Sequence, residues 1–514
     1  MNLPASFIDY TRSLLGDEEF EKLASALRQE PPVSIRLNNR KWRMDDRMFS
    51  AVRQSGVACP RLSVGSCLSN RVPWASEGYY LNERLTFTFD PLFHAGCYYV
   101  QEASSMFIEQ VFRRYVTKPV IMLDLCAAPG GKSTHARNLL PDGSLLVANE
   151  VVRNRLQVLV ENLTKWGYPD VIVTNNEPSG FSALSSFFDV VLLDVPCSGE
   201  GMFRKDSTAI EEWSVENVEI CWQRQRRIVA DVWTSLKPGG ILVYSTCTYN
   251  TKEDEENVRW IQQEYGADLL AVDVCDEWNI TGNLLSERLG PVYHFFPHKT
   301  RGEGFFLAAF RKPAEEDGEL EDAACFFPKN RFSKKKNKRE EALPFLKENI
   351  ATAKSWLNET VAGKYALSVT EGAEIYAFPQ QYIDELAILK QNLKVIMAGT
   401  AIGKVKGKDL VPSHALAMST SLLKQDAFAV EEVNYEQAVA YLRKEAVTLS
   451  VTAPRGYVLL TYQHIPLGFV KNIGNRANNL YPQDWRIRSG YLPEEIRILS
   501  NLITEVCRQA SPDR

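Results

Sequence analysis

The sequence predicts an α/β protein whose centre is a parallel sheet covered by helices on both faces. Two observations carry that reading. Between residues 107 and 312, short apolar runs alternate with amphipathic helical segments. After residue 265 the alternation stops, and two apolar strands follow so closely that they should pair as an antiparallel hairpin.

The elements follow in order. Residues 1–95 form a small α+β unit: FIDYTRSLLGDEEFEKLASALRQ has helical spacing and stops before Pro31-Pro32, and SIRLNNRK then alternates as a strand. Residues 96–107, GCYYVQEASSMF, lead into a central unit that spans 96–312. Its apolar runs are IMLDLCA (121–127), SLLVANE (144–150), DVIVTN (170–175), FDVVLLDVPCSG (188–199) and GGILVYSTCT (239–248). Between them lie KSTHARNLL, RNRLQVLVENLTKWG and the long EEWSVENVEICWQRQRRIVADVWTSLK, all read as helices. PVYHFFPH and GEGFFLAAFRKP supply the hairpin. Residues 313–342 are a charged linker, 343–390 a helical connector, and 391–514 a small β-rich domain.

Composition bounds the function. A chain of 514 residues suggests about three domains. With 45% hydrophobic and 24% charged residues, it reads as globular. No run of about 18 apolar residues suggests a membrane span, and no basic, then apolar, N-terminal segment suggests a signal peptide. The ten cysteines form no C-x-x-C pair, so neither a zinc ribbon nor a redox dithiol is expected, and they fit a reducing compartment. A net charge of −5 argues against a uniformly basic nucleic-acid binder but leaves room for local basic patches. The charge is blocked: AEEDGELED at 314–322 and KKKNKR at 334–339 read as solvated linker, the second also suited to RNA phosphates.

LDLCAAPGGKSTH (123–135) places a small-residue loop between a strand end and a helix start. Ligands of open parallel sheets bind beyond the carboxyl ends of the strands. Ala127, Ala128, Gly130 and Gly131 let backbone amides approach such a ligand closely. A phosphate-binding P-loop would need glycine where Cys126 stands, and Pro129 removes an amide donor, so a triphosphate site is not expected. The next strand ends at Glu150, a carboxylate placed to accept from ribose hydroxyls. The third ends at Asn176-Glu177, with Glu177 or Asn176 as the candidate for an adenine contact.

LLDVPCSGEGMFRKD (192–206) and YSTCTYNTKEDEENV (244–258) each put a cysteine just past a buried strand. Cys197 and Cys247 should therefore converge on one cleft, beside Asp194. Two thiols and an acid suit one demanding reaction. Carbon 5 of cytosine is too weak a nucleophile to take a methyl group directly. A thiolate adding at carbon 6 makes carbon 5 enamine-like, an acid at Asp194 protonates ring N3, and a second group helps expel the sulfur. Free thiols are mostly protonated at pH 7, so Lys132 or Lys205 is expected to favour the thiolate. The base must also leave any stack.

The segments CAAPGGK, DVPCSGEGMFRKD and STCTYN, in that order, resemble the signature motifs of the Sun/Nop family of RNA cytosine-5 methyltransferases. The resemblance covers about 95–312, and the layout is similar to the bacterial RsmF-like ribosomal RNA branch. It implies a Rossmann-like S-adenosylmethionine-dependent methyltransferase sheet, parallel strands with a terminal antiparallel hairpin, between a small α+β N-terminal domain and a β-rich PUA-like C-terminal domain. It implies Cys247 as nucleophile, Cys197 as the residue that assists release, and Asp194 at the base and near the cofactor. It assigns S-adenosylmethionine to Cys126, Ala127, Ala128, Pro129, Gly130, Gly131, Lys132 and Glu150. The family often has aspartate after the third strand, where this chain has Asn176-Glu177. The ranking of the two cysteines rests on the resemblance alone.

PSHALAMS (412–419), GYVLLTYQHIPLGFVKN (456–472) and RANNLYPQDWRIRSG (476–490) resemble the C-terminal domain of that branch. There Lys471, Arg476, Arg486 and Arg488 flank Tyr481 and Trp485, an interleaving that suits phosphate contact plus base stacking. In the N-terminal unit, read as an RNA-binding or support domain, RVPWASEGYYLNER (71–84) is a candidate addition to the RNA surface, though its aromatics are read foremost as core. The expectation is a cytoplasmic, monomeric enzyme without a metal, acting on RNA and foremost on small-subunit (16S) ribosomal RNA. The alternatives are the same chemistry on transfer RNA and a non-catalytic RNA-binding assembly factor. Intact cysteines, Asp194 and glycine loop speak against the last.

Overall fold

The computed structural model describes residues 3–42, 68–286, 289–314, 346–491 and 495–499. Cys59, Cys67, Cys325 and Cys507, and nearly all of the expected 313–342 linker with its basic block, lie outside the described residues.

The N-terminal segment forms two helices, Ala5–Leu15 and Asp17–Leu27, where the spacing predicts one. Gly16 breaks it at φ 81°, a conformation only glycine adopts freely, and Asp17, Glu18 and Glu19 suit the positive end of the second helix. Phe7, Phe20 and Leu23 bury against Phe203, Trp213 and Tyr249 of the central unit. Strands β1 (Val33–Leu37), β2 (Leu68–Arg71), β3 (Gly78–Leu81) and β4 (Tyr98–Val100) form a sheet in the order β2-β3-β1-β4. β4 lies beyond the expected boundary at 95, because Leu37 pairs with Tyr98. Trp74 and Tyr80 are buried. Arg36 crosses from this sheet into the central unit, donating to Thr134 Oγ1 at 2.6 Å and lying 4.4 Å over the Trp166 ring.

The central sheet has five parallel strands, β5 (Ile121–Asp124), β6 (Leu145–Asn149), β7 (Val171–Thr174), β8 (Phe188–Asp194) and β9 (Leu236–Thr246), in the order β9-β8-β5-β6-β7. β10 (Asp268–Leu269), β11 (Tyr293–Phe295) and β12 (Phe305–Arg311) extend it at the β9 edge. β12 runs antiparallel beside β9, and β11 pairs with β12 as the expected hairpin, Tyr293 opposite Leu307. Each face is covered. Ala136, Leu156, Leu159 and Leu163 pack on one, and Ile228, Val232, Val258 and Ile261 on the other. The long helix expected over 211–237 is interrupted at Trp213. Ser207–Glu212 ends there, and Ser214 caps Val215–Trp233 by accepting from Asn217 N at 3.0 Å.

The stretch 343–390 is not simply helical. Between helices Leu346–Ser355 and Ile383–Asn392 lie β13 (Tyr365–Val369) and β14 (Glu374–Pro379), paired antiparallel. YALSV and EIYAFP are short runs rich in aromatic and β-branched residues around a turn, and strand pairing wins there. β15 (Val395–Ala398) returns to the central sheet, antiparallel to β7, so a domain cut at 391 would remove an edge strand of that sheet. Gly399 (φ 73°) then turns the chain; a Cβ there would lie 2.1 Å from Ala377 O. β16 (Thr400–Lys406) and β17 (Asp409–Pro412) join β13 and β14. β18 (Ala429–Glu432), β19 (Gly456–Tyr462), β20 (Ile465–Asn472) and β21 (Ala477–Asn479) make the last sheet.

The cation–aromatic interleaving expected near 471–488 resolves differently. Tyr481 is fully buried, edge-on to His414 and Tyr441, and unavailable for base stacking. Trp485 packs edge-on to His414 with Lys165 above it, while Arg476 and Arg488 are exposed. The segment's aromatics were drawn inward because the last sheet packs on the N-terminal sheet through one shared core. Among the described residues, no helix is long and apolar enough to cross a membrane.

Tyr481→Ala should therefore cost roughly 3–5 kcal/mol of stability. Thermal and denaturant unfolding of the full chain check this; an unchanged midpoint would contradict its core role.

Candidate active site

The carboxyl ends of β5, β8 and β9 meet at a cleft of about 620 Å³. β5 stops at Asp124, the loop 125–130 follows, and the helix Gly131–Leu139 opens under Gly130, which has φ 112°. Ser133 Oγ donates to Asp124 Oδ2 at 2.6 Å, while Asp124 Oδ1 is buried with no hydrogen-bond partner. Burial pushes this carboxyl up to about 7. Cys126, Ala127, Ala128, Pro129, Gly131 and Lys132 line the cleft, as do Asp194, Cys197 and Cys247. Gly130 does not; it supplies the turn behind the lining.

Glu150, just past β6, is buried, accepting from Val152 N at 2.8 Å and facing Arg155 at 3.7 Å. Arg155 itself lines the cleft and donates to Ala128 O at 2.7 Å. Glu177 is exposed, away from the cleft, and Asn176 is held by accepting from Lys394 N at 2.9 Å.

β8 and β9 are parallel neighbours, with Asp194 opposite Ser245. The loops that follow them therefore run side by side, and Cys197 Sγ lies 3.0 Å from Cys247 Sγ. Cys247 N also donates to Cys197 Sγ at 3.4 Å. The Cys247 contact and burial together push the Cys197 thiol well up, so it keeps its proton at neutral pH. Asp194 accepts from Lys132 Nζ at 2.8 Å and from Ser245 Oγ at 3.0 Å. Burial opposes the Lys132 charge, but Asp194 outweighs it and holds the ammonium above its ordinary value. Lys205, the other cation expected at the thiols, faces Glu303 at 3.7 Å.

The loops are locked by residues that sequence reasoning did not single out. Glu200, from the first cysteine motif, accepts from Tyr249 N in the second at 2.6 Å. Glu253, from the second, accepts from Ser198 N in the first at 3.1 Å. Asn250 Nδ2 donates to both carboxylates, at 3.0 and 2.9 Å. Trp213 and Gln225 supply further donors, to Glu200 and Glu253 respectively. Gly201 N donates to Cys247 O at 2.8 Å, and a Cβ at Gly201 would lie 2.5 Å from Gly304 O. The signal was present, since Glu200, Asn250 and Glu253 stand within the two motifs. Asp124 and Arg155 were equally missed; the clue to Asp124 is its place at the end of the first strand.

Comparison with known proteins gives the same outline. The family model for 16S rRNA methyltransferase RsmB/F matches residues 117–311, the N-terminal domain of 16S rRNA methyltransferase RsmF matches 3–103, and the methyltransferase RsmF PUA domain matches 428–487. Ribosomal RNA small subunit methyltransferase F of Klebsiella pneumoniae is 30% identical over 427 residues, covering 82% of this chain and 85% of that protein. Its namesake in Erwinia tasmaniensis is 28% identical over 507 residues, covering 95% and 98%. The crystal structure of PH0851 shares the fold, with a TM-score of 0.51 at 24% identity over 60% of this chain and 66% of that one. The sheet and its cleft thus define an S-adenosylmethionine-dependent methyltransferase. The chain belongs to the 16S rRNA methyltransferase RsmB/F family, on its RsmF side.

Burial raises the Glu200 carboxyl from 4.5 to about 7. Between those values the folded protein keeps a proton that the unfolded chain has lost, so Glu200 makes stability fall as pH rises through that window. Glu200→Gln should flatten the fall, by up to about 1.4 kcal/mol per pH unit. Urea titrations across pH 4–8 read this directly; an unaltered slope contradicts the assignment.

Proposed function

We propose that this protein methylates carbon 5 of a cytosine in RNA, with 16S ribosomal RNA as substrate, through a covalent bond from Cys247 to carbon 6. The single observation that carries this reading is the pair of thiols 3.0 Å apart in one cleft with a carboxylate–ammonium pair. The relatives' printed names supply the substrate. The matched PUA domain suits an enzyme working on RNA, which we place in the cytoplasm.

The residues present fit S-adenosylmethionine. Asp124 leaves one carboxylate oxygen without a partner at the cleft wall, and Ala127, Ala128 and Gly131 keep the adjoining wall low. Asp124, the 126–132 segment and Arg155 would hold the group, with Glu150 steadying Arg155. When bound, S-adenosylmethionine supplies a methyl group on an electron-poor sulfonium.

Cys247, as thiolate, adds to carbon 6 of the target cytosine. Asp194 accepts from the exocyclic amino group and from protonated N3, oriented by Lys132 and Ser245. N3 takes its proton from solvent by way of Asp194 as carbon 6 is attacked, and returns it the same way when carbon 6 is released. Once carbon 5 carries both its hydrogen and the methyl group, a base removes that hydrogen, and the electron pair expels Cys247 sulfur. Cys197, 3.0 Å away and holding its proton, protonates the departing thiolate and thereby assists release.

Cys247→Ala should reduce methyl transfer to 16S RNA by at least about a thousandfold while leaving S-adenosylmethionine affinity within about twofold, as removal of a nucleophile does. Labelled-methyl incorporation and calorimetry test the two halves. Retained turnover would remove Cys247 from the nucleophile's role.

A further inference from the structure

The catalytic cleft has a neighbour. A second groove of about 550 Å³ shares a wall with it. That wall is built from segment 300–304 of the β11–β12 connection and from Arg204-Lys205. Glu303, Gly304 and Lys205 face the cleft, whereas Arg301, Gly302 and Arg204 face the groove. The opposite side of the groove belongs to the N-terminal unit, residues 29–33 and 81–84.

The wall is fixed. Arg204 pairs with Glu303 at 2.9 Å and donates to Gly302 O at 2.6 Å. Glu102 accepts from Glu303 N at 2.8 Å, and a Cβ at residue 302 would lie 2.2 Å from Ser104 Oγ. Cleft and groove therefore keep one relative position.

Their chemistry also matches. Two exposed guanidiniums, Arg84 from the N-terminal unit and Arg301 from the catalytic unit, flank the groove. Arg301 lies 4.3 Å over the Tyr80 ring, which sets its direction. Of the two acids in the lining, Glu83 is paired with Arg497. Pro31, Pro32 and Pro297 add apolar surface to the lining. Guanidiniums beside small apolar platforms suit a phosphate backbone with unstacked bases.

We infer that this groove carries the single-stranded RNA that flanks the target nucleotide, with backbone phosphates against Arg84 and Arg301. The inference rests on the RNA reading above. A nucleotide turned into the cleft must be followed by strand that leaves it, and the groove lies beside the cleft, across one rigid wall. The N-terminal unit is then half of the substrate track.

The test uses the full-length Arg84→Glu/Arg301→Glu variant, with Arg84→Lys/Arg301→Lys as the charge-preserving control. RNA affinity is titrated at several salt concentrations with deproteinised 16S RNA, and transfer kinetics are measured alongside. Reversal should raise Kd and KM roughly tenfold or more, with kcat within about twofold. It should also lower the salt slope by about 1.4, as two lost single-strand phosphate contacts require. The lysine control should bind nearly as wild type, and unchanged S-adenosylmethionine affinity shows an intact fold. Unchanged Kd and slope overturn the inference. Loss of binding to the assembled small subunit, with deproteinised RNA bound as before, also overturns it and makes the groove a protein contact. RNA titration judges the groove even if wild-type protein transfers no methyl group, an outcome that would instead overturn the proposed function.

Discussion

The site depends on a reciprocal clamp between two loops. Glu200 reaches from the first cysteine motif to the backbone of the second, Glu253 reaches back, and Asn250 donates to both. All three are buried. Buried carboxylates are costly unless every oxygen is met by a donor, and a donor left without its acceptor costs about 1–3 kcal/mol. The clamp therefore has one well-satisfied arrangement, and in it the two thiols face each other. Gly201 and Gly304 let the backbones close to that distance.

The rest of the architecture serves that arrangement. Parallel pairing of β8 and β9 brings both loops out at the same sheet end. The antiparallel β12 closes the β9 edge and delivers Gly304 and Phe305 to the cleft. Both helices of the N-terminal unit pack on the outer side of the loops through Phe203, Trp213 and Tyr249. Arg36, buried and hydrogen-bonded to Thr134, fixes that unit to the cofactor-side helix. The C-terminal region is tied in as well, since β15 is an edge strand of the catalytic sheet. The chain is thus three units sharing surfaces, with the chemistry at the sheet they all touch.

Much of this was legible in the sequence because the relevant signals are local. The five parallel strands and the hairpin follow from apolar runs and their spacing, and the convergence of Cys197, Cys247 and Asp194 follows from consecutive strands. What stayed hidden depends on long-range packing. β13 and β14 lie between real helices, and their pairing is settled by β16, a later partner. Tyr481 looks like a stacking platform beside its cations, yet the shared core of two sheets takes it in. Glu177 follows a strand end as an adenine contact would, but the return of β15 to β7 holds Asn176, and Glu177 lies in solvent. Lys132 was expected to act on a thiol; it pairs with Asp194 and also interacts electrostatically with Cys247, a division only the folded geometry reveals.

The central claim is a division of labour in which Cys247 attacks and Cys197 releases. The most direct measurement incubates the Cys197→Ala variant with 16S RNA and S-adenosylmethionine, then separates the products on a denaturing gel. The account predicts a protein–RNA adduct that survives denaturation, maps to the peptide containing Cys247, and vanishes in the Cys197→Ala/Cys247→Ala double variant. Normal methylation by Cys197→Ala with no trapped adduct would contradict it, because release would then need no help from Cys197.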